Sequence, residues 1–186
     1  ITKKDAVFDE TKLDWMNGQY IKAMDAKDWV EASRPWLIEA GAAAEDIDAR
    51  PEWYAALYPL LAERETHLTD AAEKLPYMFW GANVTLDEKS VNKVLKKEGA
   101  RADEALRACR DILADESRAW ECDALQEACR ALCEPMDIKP KNMFQPLRVA
   151  VCGNMVSPPL FESIELLDRA DVIARIDSVL AEVFSA

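Results

Sequence analysis

Histidine and glycine are scarce in this 186-residue chain, which has a single His (His67) and five Gly. One His leaves no support for a Ser–His or Cys–His nucleophile pair, and no Gly-rich phosphate loop occurs. No catalytic residue is therefore assigned. Half of the residues are hydrophobic, which excludes global disorder. No apolar run reaches the roughly 18 residues a membrane-spanning helix needs, so no membrane contact is expected. The opening ITKKDAVFDE has no apolar core of the kind a secretory signal carries. The five cysteines are odd in number and fit a reducing, cytoplasmic setting better than a disulfide framework. Cys122, Cys129 and Cys133 fall on one helical face, but zinc wants four closely looped ligands and His67 lies far off. They read as buried apolar thiols, with no metal.

What the chain does contain is helical periodicity. Asp9 caps a first helix carrying Leu13, Trp15 and Met16. Asp25 or Asp28 opens a second with Trp29, Trp36 and Leu37, which Pro35 should kink or divide and Gly41 should end. Pro51 suits the first position of a helix with Trp53, Tyr54, Leu57, Leu60 and Leu61. A shorter helix runs from about Thr66 to Leu75. Tyr77–Thr85 reads as a junction, and Thr85 with Glu88 as a capping box. Further helices are expected over 86–98, 102–114, 117–135, 143–152, 158–167 and 169–184. Gly153 suits the residue after one helix, and Ser157-Pro158 the start of the next. The fold class is all-α, with two packed helical subdomains, 1–84 and 85–186.

Charge is distributed unevenly. The chain has 35 acidic residues and a net charge of -12, yet residues 138–161 contain no Asp or Glu and hold Lys139, Lys141 and Arg148. An acidic protein that clears one segment of carboxylates fits a negative partner there, such as a phosphate backbone. A buried helical hairpin excluding all charge would leave the same trace. Lys89, Lys93, Lys96 and Lys97 are spaced as one basic helical face, which could hold phosphates or simply be solvated.

The words PLRVAVCG and VSPPLFESIELL, followed by Arg175-Ile176, resemble the C-terminal end of bacterial glutamyl-tRNA synthetases. KKDAVFDETKLDWMNGQYI is similar to that family's passage just after its catalytic core, and ERETHLTDAAEKLPYMFW to one of its helix pairs. The resemblance covers both ends of the chain in the right order. It implies the helical anticodon-binding region of a class I aminoacyl-tRNA synthetase. It also implies that Arg148 contacts anticodon bases of the tRNA, and that Ser157, Pro158, Leu160 and Phe161 line the pocket for those bases. Arg130 falls near a further contacting position. Pro and Phe rings offer flat surfaces to unstacked bases, and a guanidinium can read a base edge, stack on it or hold a phosphate. The ordinary alternatives are a salt bridge from Arg148 to Glu162 or Glu165, and core roles for Leu160 and Phe161. Pro159 and Asp168 stand where the family commonly has Gly.

The family's two ATP-binding signatures are absent, although Lys3 stands just downstream of where the second would end. The chain has no starting Met and begins inside a family motif, which suggests a piece of a longer protein. By resemblance, the full-length enzyme is a glutamate–tRNA ligase that uses ATP and Mg2+. The piece itself would hold no cofactor and be inactive alone. Expected partners are tRNA(Glu), with tRNA(Gln) left open, and no DNA; a monomer is expected. The possible phosphate contacts are Lys89, Lys93, Lys96, Lys97, Lys139 and Lys141. The rival reading is a helical protein-interaction module without RNA binding, suggested by the acidity and six Trp.

Overall fold

The computed structural model describes residues 9–184; Lys3 and the start of the KKDAVFDETKLDW passage lie outside them. Among the described residues every regular element is helical. None of these helices is long and apolar enough to cross a membrane. Two compact units divide between Glu73 and Lys74. The division expected from the sequence lies near residue 84. The Tyr77 side chain instead belongs with the second unit, where its buried hydroxyl meets Ser163 Oγ at 2.7 Å.

The first unit begins with α1 (Glu10–Lys22), capped by Asp9 through Lys12 N at 3.1 Å. Asp25 caps α2 (Ala26–Ala40) through Lys27 N at 2.9 Å. Pro35 does not divide α2. It sits on the exposed side, where the Glu31 carbonyl it leaves without a helical donor can meet water. Short helices follow: α3 (Ala44–Ala49), α4 (Pro51–Ala55) with Pro51 at its first position, α5 (Tyr58–Leu61) and α6 (Asp70–Lys74). Trp29, Leu37, Tyr54 and Leu57 are wholly buried, and the Trp29 indole N–H donates to Glu65 at 3.0 Å. Leu13, Trp15, Met16 and Tyr20 of α1 are exposed.

The second unit opens with a 3-10 turn over Pro76–Phe79, followed by α7 (Glu88–Ser90) and a single π turn over Val91–Leu95. Then come α8 (Ala102–Ala114), α9 (Cys122–Ala131), α10 (Pro140–Cys152), α11 (Leu160–Leu166) and α12 (Arg169–Phe184). Helix α8 buries Ala102, Ala105, Leu106, Cys109 and Leu113, an apolar stripe at helical spacing. That stripe packs on α10 and α12, and α9 packs on α11. Helix α9 starts later than expected, because Ser117 turns its N–H and hydroxyl onto Asp115 and holds that segment as a turn. Cys109 and Cys129 are buried, and contact with Cys129 together with burial raises the Cys109 pKa, keeping it a thiol. Among the described residues, no group of three or more His, Cys, Asp or Glu side chains is disposed to hold a metal.

Arg175 lies at the centre of this unit, fully buried. Its Nε donates to the Gly81 carbonyl at 2.7 Å and its Nη1 to the Val151 carbonyl at 2.9 Å. The Trp80 ring centroid is 6.0 Å from the guanidinium carbon. Burial pulls its pKa below the ordinary arginine value. The side chain thus ties the junction before α7 to the last turn of α10.

Candidate nucleic-acid interface

Helix α10 ends where Gly153 adopts φ +80°, the left-handed conformation glycine takes without penalty. Space demands glycine here as well, since an added Cβ would lie 2.2 Å from the Thr85 carbonyl oxygen and 2.9 Å from the Trp80 ring. The following loop is fastened to the segment around α7. Asp87 N–H donates to the Gly153 carbonyl at 2.8 Å, and Met155 N–H to Ser90 Oγ at 3.0 Å. Asp87 in turn accepts from Ser90 N–H at 2.8 Å and Ser90 Oγ at 2.6 Å. These bonds from Ser90 hold the Asp87 carboxyl below the usual carboxylate range. Val156 N–H closes a tight turn on Asn154 Oδ1 at 2.9 Å, leaving the Val156 side chain 81% exposed.

Arg148 reaches from α10 to the far end of this loop. Its Nη1 donates to the carbonyls of Ser157 and Pro158, at 3.1 and 2.7 Å, and to Ser157 Oγ. Nε and Nη2 have no hydrogen-bond partner among the described residues, and Arg148 makes no ion pair among them. The guanidinium is therefore held by one nitrogen and keeps donors available. It lines an open cleft of about 230 Å³ together with Gln126, Arg130, Phe144, Pro159, Leu160, Phe161 and Glu162. The Arg130 guanidinium stands 5.6 Å from the centroid of the Phe144 ring. That ring meets Phe161 edge to face, with centroids 5.3 Å apart. One cleft wall is thus a cation–aromatic–aromatic ladder of a type suited to flat ligands.

A second cleft, of about 280 Å³, lies on another side of the same loop and is edged by Met155 and Val156. Lys93, Lys97 and Lys141 line it and no carboxylate does. None of the three lysines forms an ion pair among the described residues. Lys89, Lys96 and Lys139 are exposed but do not line it. The single lysine face expected from spacing is broken by the π turn, whose bond from Lys96 N to the Val91 carbonyl spans five residues and shifts the register.

A family model described as an anticodon binding domain matches residues 28–180. The chain belongs to that family. This anticodon-binding domain is 38% identical over 173 residues to the glutamate–tRNA ligase of Acidothermus cellulolyticus, covering 91% of this chain and 34% of that protein. It is 37% identical over 185 residues to the glutamate–tRNA ligase of Cutibacterium acnes, covering 95% and 36%. The chain thus spans about a third of the length of the curated relatives it matches. A crystal structure of a glutamate tRNA ligase from Elizabethkingia meningosepticum, in complex with its amino acid, superposes on it with a TM-score of 0.74. That likeness has 21% identity and covers 95% of this chain and 33% of the other, so it speaks to the fold alone.

Within the anticodon-binding domain, Arg148, Arg130, Leu160 and Phe161 share one cleft, while Ser157 and Pro158 hold Arg148 through their oxygens. Several local expectations need correction. Ser157 does not cap α11, whose cap position is Pro159 with no side-chain cap. Each proline disfavours helical backbone in the residue before it, so Ser157-Pro158-Pro159 delays the helix start. Leu160 and Phe161 are both core residues, 4% exposed each, so each offers the cleft little surface. The capping box of Thr85 and Glu88 is replaced by Asp87, which caps α7. Sequence reasoning missed Phe144 and Gln126. Each stands four residues before an arginine already singled out, on the same helical face, and that spacing was the available signal.

Proposed function

We propose that the chain is the anticodon-reading part of a glutamate–tRNA ligase, and that its partner is tRNA(Glu). Both units belong to this part. ATP, Mg2+ and the ligation chemistry lie in the rest of such an enzyme. The observation that carries the reading is the Arg148 guanidinium. It is pinned through one nitrogen to the Ser157-Pro158 carbonyls, has no acidic partner among the described residues, and faces an open cleft beside an aromatic ladder. An unpaired base can stack on the Arg130 guanidinium or the half-buried Phe144 ring while its edge or phosphate takes the remaining donors of Arg148. Lys89, Lys93, Lys96, Lys97, Lys139 and Lys141 would add phosphate attraction of the sequence-independent kind. The protein acts as a monomer in the cytoplasm under this reading.

The test is binding of an anticodon stem-loop RNA of tRNA(Glu) to the wild type and to Arg148→Ala, with circular dichroism to confirm folding. The variant should bind about 5- to 150-fold more weakly, as expected when one base-reading or phosphate interaction worth roughly 1–3 kcal/mol is removed. Equal affinity in a folded variant would end the proposal. A stem-loop of tRNA(Gln) in the same assay distinguishes the two candidate partners. The exposed Leu13, Trp15, Met16 and Tyr20 of α1 favour a second reading, a protein-interaction surface without RNA binding. Binding of a protein partner that barely responds to salt, with no RNA affinity, would support that reading instead.

A further inference from the structure

We infer that the Lys93–Lys97–Lys141 cleft is a second, separately acting nucleotide site, which takes one unpaired nucleotide of the bound RNA and reads its base. The inference rests on the RNA-binding reading above and gives this cleft a base-reading role which that reading does not use. Three features of the cleft support it. The first is charge: three lysines from two separate segments converge without a carboxylate, in a chain of net charge -12. Such a concentration of unpaired cations selects an anion, and a phosphodiester supplies one at every nucleotide.

The second feature is hydrogen bonding. Asn142 and Gln145 line the same cleft, half-buried, and their carboxamides have no hydrogen-bond partner among the described residues. Each offers a donor pair and an acceptor, the pattern that matches the edge of a base. Pro146 follows within α10 and lacks an N–H, so the Asn142 carbonyl loses its usual helical donor beside these two amides. Phosphate binding alone would not call for unpaired carboxamides in the cleft.

The third feature is the apolar rim. Val156 is 81% exposed at the tip of a turn closed by Asn154, and Met155 beside it is half-buried. The Met155 N–H bond to Ser90 Oγ fixes that rim against the segment carrying Lys93 and Lys97. A base lying over Val156 and Met155 would bury apolar surface that otherwise faces water. Phosphate on the lysines, base face on the rim and base edge on the carboxamides together describe one nucleotide.

The experiment uses the full chain and the anticodon stem-loop RNA, plus a set of loops each carrying a single base change. The proteins are wild type, the Lys97→Ala/Lys141→Ala double variant, Gln145→Ala and Arg148→Ala. The lysine variant should bind about tenfold more weakly at low salt. Its plot of log affinity against log salt should be shallower by about 0.7 for each phosphate that is no longer neutralised. Gln145→Ala should keep the salt slope and lose about five- to tenfold of the discrimination at one loop position, the size expected for one hydrogen bond. If the lysine variant binds like wild type while Arg148→Ala is weakened, the second site is refuted and the anticodon-reading proposal stands. If the lysine variant is weakened but Gln145→Ala discriminates every loop as wild type does, the cleft attracts phosphates without reading a base and the inference fails. If wild type binds the stem-loop no better than an unrelated hairpin, both readings fall together.

Discussion

Arg175 and Arg148 sit in the same unit, on helices packed against one another, and their guanidinium groups stand in opposite settings. Arg175 is sealed from water and donates from two nitrogens to carbonyls of residues distant in sequence, Gly81 and Val151. Arg148 donates from one nitrogen to the loop just beyond its own helix and turns the remainder towards an open cleft. Neither arginine makes an ion pair among the described residues. What separates the two arginines is access: the donors that Arg148 leaves unengaged belong to a residue lining an open cleft, whereas the Nη2 that Arg175 leaves without a partner is buried.

The comparison breaks most readily at the sealed end. Arg175→Ala should destabilise the protein by about 3–5 kcal/mol, because it opens a cavity and takes the donors from the buried Val151 carbonyl and the partly buried Gly81 carbonyl. Urea unfolding measures this, and binding of RNA per folded molecule should change little beside it. Gly153→Ala should cost roughly 2–4 kcal/mol in the same assay, since the added methyl strains a positive φ and collides with the Thr85 carbonyl. At the open end the sign pattern reverses. Arg148→Ala should lose about 1–3 kcal/mol of RNA binding while unfolding shifts by less than about 1 kcal/mol. A drop in stability for Arg148→Ala as large as that for Arg175→Ala would erase the distinction.

The smallest effect concerns Asp87. Its pKa is depressed in the fold, so its charged form adds stability above the unfolded carboxylate value, and that increment fades as pH falls through the folded one. Asp87→Asn should therefore be less stable than wild type near neutral pH. The gap should narrow in the acid range below the ordinary aspartate value, as followed by thermal unfolding across pH. A gap that stays constant would mean that the Ser90 bonds do not depend on the charge.

Some of this was legible in the linear chain and some was not. The elements Ala102–Ala114 and Arg169–Phe184 match the expected spans, because their apolar periodicity is uninterrupted. Asp9, Asp25, Pro51 and Gly153 stand at the helix boundaries their chemistry suits. The misreadings occur where two local preferences compete. Ser157 has the chemistry of a cap, but the two prolines after it restrict the backbone and Arg148 takes its oxygen. Lys89, Lys93, Lys96 and Lys97 read as one face only if the helix is regular, and a π turn intervenes. The absence of acid in residues 138–161 is visible at once. That Lys141 meets Lys93 and Lys97 across a cleft depends on a packing of segments that spacing along one helix does not encode.

The bond from Met155 N–H to Ser90 Oγ has a mechanical consequence. It joins the loop that anchors Arg148 to the segment bearing Lys93 and Lys97 by a short strut, which opposes independent displacement of the two clefts. A polynucleotide gripped on one side would find the other side already at its working distance. Under the two-site reading, a strand with another spacing between neighbouring nucleotides would have to break that bond or bend to fit.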